Sequence, residues 1–137
     1  AAADAGVDAL WRIGCRYGQT SYRALAAHTL AHAGEFDQAL ARLEECLALA
    51  EALNERQHLA ELYRDKAHYL WACGAGLVEI LAAAAAAAEY AHAGGKRRIE
   101  AQALYLIDQL DPVNRADAAE RLRDLLAQWP ELSPWAD

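Results

Sequence analysis

Helix-breaking residues recur along this chain at intervals that leave little choice of fold. Gly34, Gly74 and Asp111 stand 40 and 37 positions apart, and Gly18, Asn54 and Gly94 stand 36 and 40 apart. The clearest corner is Gly34-Glu35-Phe36-Asp37-Gln38-Ala39-Leu40. Gly34 ends one apolar-periodic run, and Phe36, Ala39, Leu40 and Leu43 open the next at i, i+3, i+4 and i+7 spacing. Glu35 and Asp37 put negative charge in the first turn, where the helix dipole favours it. Breaks at this interval are the signature of stacked helical hairpins, because one hairpin cannot cover its own apolar face.

The composition agrees. Alanine supplies about a quarter of the 137 residues, and nine scattered β-branched residues give a sheet little to work with. The periodicity predicts seven helices, over residues 3–17, 20–33, 36–53, 56–73, 77–93, 97–110 and 115–129. Thr20 or Ser21 is the expected N-cap of the second and Asn114 that of the seventh, with Asp117 three residues on. Cys46 and Cys73 fall on apolar faces and read as core positions. Leu77, Ile80, Leu81, Ala84, Ala88 and Ala91 make the expected inner face of the fifth helix. Trp129 continues the stripe of the last helix, as core or cap. The expected fold is all-α: a right-handed stack of antiparallel hairpins in one domain spanning 1–137. A start at Ala1-Ala2-Ala3 without methionine suggests a piece of a longer protein.

Several function classes are disfavoured. A formal charge of −7, evenly spread, argues against a nucleic-acid partner. The apolar stretch Leu77–Ala93 is interrupted by Glu79, Glu89, Tyr90 and His92, so no membrane span is expected. Cys15, Cys46 and Cys73 are odd in number and far apart, which fits a reducing cytosol better than a disulfide framework. There is no Gly-rich phosphate loop, GxSxG or HExxH, and neither an enzyme nor a bound cofactor is expected. His28 and His32, four apart, have the spacing of a helical metal pair, with His68 as the third ligand if one exists. The competing reading, which the chance frequency of HxxxH favours, makes them polar groups lining a groove.

The residues of the corners also carry a resemblance. Ala27, Leu30, Gly34, Phe36, Ala39, Leu43 and Cys46 fall where the tetratricopeptide repeat places small, large, Gly, aromatic, Ala, large and small residues. Tyr63, Ala67, Leu70 and Gly74 repeat the first half of that pattern, and Ala103 and Leu106 keep part of it. The period near 40 and the phrase Ala91-His92-Ala93-Gly94-Gly95-Lys96 resemble the C-terminal arrays of large bacterial regulators of the MalT type. In that family the first helices of successive repeats line a concave groove. The resemblance therefore implies partner-binding positions at Ser21, His28, His32, Glu61, Arg64, His68 and Trp71, with Ala24 among them and Tyr105 and Asp108 as continuations. It implies a non-catalytic module that binds a peptide or another domain of its parent chain. The alternatives are a small-molecule sensor pocket in the same array, or a metal-binding protein or enzyme built on His28, His32 and His68.

Overall fold

A computed structural model describes residues 2–14 and 18–132. Among the described residues the secondary structure is helical, in seven elements: α1 (Ala2–Arg12), α2 (Gln19–His32), α3 (Phe36–Ala52), α4 (Leu59–Ala72), α5 (Leu77–Ala93), α6 (Arg97–Leu110) and α7 (Arg115–Gln128). None of them is long and apolar enough to cross a membrane. The chain divides into two compact units, Ala1–His58 and Leu59–Asp137.

Four of the corners are one device. At Gly34, Asn54, Gly74 and Gly95 the backbone turns into the left-handed region, with φ of 79°, 54°, 71° and 66°. At each, the amide of the left-handed residue bonds back three positions and the next amide bonds back five. The pairs are Gly34 to Ala31 and Glu35 to Leu30, Asn54 to Glu51 and Glu55 to Ala50, Gly74 to Trp71 and Ala75 to Leu70, and Gly95 to His92 and Lys96 to Ala91. This is the Schellman arrangement, which satisfies the last carbonyls of a helix while reversing the chain. In the fourth corner Gly95 takes the left-handed turn, not the expected Gly94. Within a unit the reversal lays the next helix against the one before it, α3 on α2, α5 on α4 and α6 on α5.

In the first unit α3 packs on α2, and α2 also touches α1. Ala26 and Ala27 of α2 and Ala39, Leu43, Cys46 and Ala50 of α3 are all buried. Small residues on both helices let the axes approach closely. Thr20 is not the cap of α2. Gly18 stands at that position, and Thr20, two residues in and fully buried, donates its hydroxyl to the Glu55 carboxylate. The first helix ends at Arg12 and turns at Gly14 (φ 84°), short of the expected residue 17. Cys15 and Tyr17 lie outside the described residues, as does Trp135.

In the second unit α5 packs between α4 and α6, α6 also reaches α4, and α7 closes on α6. The alanine run explains this centrality. Ala83, Ala84, Ala87, Ala88 and Ala91 are buried, and with no side chain beyond Cβ they admit α4 on one flank and α6 on the other. Leu77, expected to face inward, is 44 % exposed, because it begins the helix before the neighbours cover it. Cys73 likewise is exposed: α4 ends at Ala72, so this residue belongs to the corner and not to the apolar face. Cys46 is buried as its register predicts. Helix α4 begins at Leu59, three residues later than its apolar pattern predicts.

The start of α7 is organised differently from expectation. Asn114 occupies the N-cap, but its side chain makes no capping bond to the helix. Asp111 does the work from outside. Its carboxylate accepts the amides of Val113 (2.8 Å) and Asn114 (3.1 Å) and the Asn114 side-chain amide (2.7 Å). Those bonds, led by the Asn114 side chain, hold its pKa below the ordinary 3.8.

Candidate functional site

The predicted partner-binding positions are shared between the two units. Ser21, His28 and His32 lie on the exposed side of α2. His28 and His32 touch: their Nε2 atoms are 2.9 Å apart and their rings meet edge to face. A bond between two imidazole nitrogens requires that one Nε2 donate its hydrogen and the other accept it.

In the second unit Glu61, Arg64, His68 and Trp71 recur at three- and four-residue steps on α4, so they form one stripe. The stripe is braced from α6. Lys96, the residue before α6, donates to both Glu61 oxygens at 2.6 and 2.7 Å. The Arg64 guanidinium donates to Asp65 at 2.9 and 3.0 Å and, through its other terminal nitrogen, to Gln102 of α6 at 3.2 Å. Both α4 charges are thus half-buried and held in place, not waving in solvent. His68 is one turn further on. Partial burial of its ring, aided by the Arg64 charge, lowers its pKa below 6.5, while Asp65 pulls the other way. The residue as a whole is still exposed, so its ring remains accessible. Trp71 ends the stripe with 54 % of its surface in solvent. Behind the stripe, Tyr63 of α4 stacks on Tyr90 of α5 with ring centroids 5.6 Å apart, which stiffens the scaffold.

Two of these partners escaped the sequence reading. Lys96 and Gln102 lie 35 and 38 positions from the residues they hold. The only sequence signal for them was the repeat period itself, which brings α6 back beside α4. A second feature also went unread, a pocket of about 270 Å³ between α5, α6 and α7. Leu81, Ala88, Leu104 and Ile107 line its apolar part, and Asp117 and Arg121 its polar part. Arg121 is tied to Glu89 at 3.2 Å and to the buried Glu100 at 3.5 Å, and Glu100 also meets His92 Nδ1 at 3.0 Å. Trp129, beyond α7, is neither core nor free. It is 36 % exposed, with the Arg97 guanidinium 4.0 Å above its ring.

Among the described residues, no group of three or more His, Cys, Asp or Glu side chains converges so as to hold a metal ion. The three-histidine reading therefore has no assembled site to stand on. Comparison with known proteins finds no matching family model, no matching curated protein and no matching solved structure.

Proposed function

We propose that this chain is a non-catalytic interaction module whose α4 stripe receives a peptide or a partner domain. The observation that carries the reading is Trp71, more than half exposed at the end of a stripe whose charges are fixed by α6. Covering the open half of an indole is worth about 2–3 kcal/mol. Bracing Glu61 and Arg64 beforehand lowers the ordering cost that binding otherwise incurs. The aromatic supplies affinity as an anchor, and the rim of Glu61, Arg64 and His68 supplies orientation. In its own unit α2 offers Ser21, His28 and His32 as further contacts. The tetratricopeptide resemblance supports the same use, in a regulatory or signalling chain of a bacterial cytosol, with other domains of that chain as candidate partners. The acidic charge weighs against nucleic acid. A peptide array probed with wild type and Trp71→Ala tests this. Spots that retain wild type and lose the variant support it, and equal retention everywhere contradicts it.

A second reading, a small-molecule sensor, draws on the pocket between α5, α6 and α7. Its apolar floor and few polar groups are the ordinary make-up of a ligand site. Its 270 Å³ lies just under the usual range of about 300–1,000 Å³, which places it behind the α4 stripe. A metabolite that raises the melting temperature of wild type but not of Leu104→Trp favours the sensor. No such compound in a broad screen counts against it.

A further inference from the structure

We propose that His28 and His32 form a two-point chelate on α2 for a divalent cation that prefers right-angled ligands, represented by Ni²⁺. The argument is geometric. Two imidazole nitrogens bound to one transition-metal ion at about 2.05 Å stand about 2.9 Å apart when the angle at the metal is 90°, and about 3.4 Å apart when it is tetrahedral. The Nε2 atoms of His28 and His32 are 2.9 Å apart. Their ring centroids are 4.4 Å apart and the rings meet edge to face, so both Nε2 atoms lie on the same side of the helix within reach of one cation. The pair is already at the square-planar or octahedral separation, and a tetrahedral ion such as Zn²⁺ would have to pry it open.

The helix supplies the pre-organisation. An i, i+4 spacing puts both rings on one side of α2, and both residues are exposed, so water completes the coordination. Coordination needs both Nε2 lone pairs. The ring that donates in the present contact moves its hydrogen to Nδ1, and both imidazoles stay neutral with no net proton released. Both ligands sit on one helix of the first unit, so the site needs nothing from His68. Because it forms only when residues 28–32 are helical, the bound cation stabilises the folded chain by mass action.

Titration of Ni²⁺ into the untagged full chain carrying Cys73→Ser, followed by calorimetry and thermal melting, tests the chelate. The expected result is one Ni²⁺ per chain and a rise in melting temperature. His28→Ala and His32→Ala should each weaken binding at least tenfold and abolish the rise, while His58→Ala leaves both unchanged. Binding by either α2 variant within twofold of the parent overturns the proposal. So does tighter binding of Zn²⁺ than of Ni²⁺ at the same pair.

Discussion

Thr20 shows how much one hydroxyl can decide in a chain with few buried polar groups. It is fully buried on α2 and donates to Glu55, just past α3, so it ties the two ends of the first hairpin. Thr20→Val keeps the shape and removes the donor, leaving a part-buried carboxylate short of a partner. The variant should lose about 1–3 kcal/mol, read from the urea midpoint of unfolding. Asp111 makes a pH-dependent contribution. Its folded pKa is lowered, so its stabilisation is complete above the reference value of 3.8 and is lost as pH falls through the lower folded value. Asp111→Asn should therefore flatten the acid limb of stability against pH, as measured by midpoints in urea. His68 has the opposite chemistry. Its neutral form is favoured in the folded chain, so the unfolded chain binds the proton first and stability declines as pH falls from 6.5 through the folded value. In an NMR titration the ring should report a midpoint below 6.5, and Arg64→Gln should move that midpoint upward. An unchanged midpoint would show that the guanidinium does not act on the ring.

At the scale of the helix, the corner is the unit of construction. Gly34 has a left-handed backbone, and a Cβ added there would meet nothing within 4 Å. Gly34→Ala should thus cost about 1–2 kcal/mol from backbone strain alone. Asn54→Gly, at the one corner where a side chain already tolerates that conformation, should change stability by less than about 0.5 kcal/mol. Thermal melts of the two variants distinguish a shared corner device from unrelated loops. The corners were the readable part of the sequence. Helices α5 and α6 match their expected limits because Gly94-Gly95 and Asp111-Pro112 bracket them. Helix α1 does not, since its apolar spacing continues past Gly14 although the backbone turns there. Helix α4 starts three residues later than expected, since periodicity alone could not place its first turn. Cys73 was misplaced for a related reason: spacing puts it on the apolar stripe, but the stripe outlasts the helix by one residue.

For the molecule as a whole, period and composition were enough to foresee the seven helices of the described residues. The corner at Asn54 is built like the other three, so nothing in their spacing marks the division between residues 58 and 59. The site was legible only in outline. Helical spacing puts Glu61, Arg64, His68 and Trp71 on one stripe, but whether their charges are free or braced depends on Lys96 and Gln102, partners from a later repeat. That bracing changes the account of the stripe from four independent contacts to a fixed rim around one open aromatic. The most direct test of that claim is the affinity of an array-selected peptide for wild type, Trp71→Ala and Val113→Ala, measured by fluorescence anisotropy. Val113, 83 % exposed beyond α6 and outside the stripe, serves as the control for an exposed apolar position. The account predicts a loss of about 30-fold for Trp71→Ala, equivalent to about 2 kcal/mol, and no change for Val113→Ala. Equal affinity of wild type and Trp71→Ala would contradict it.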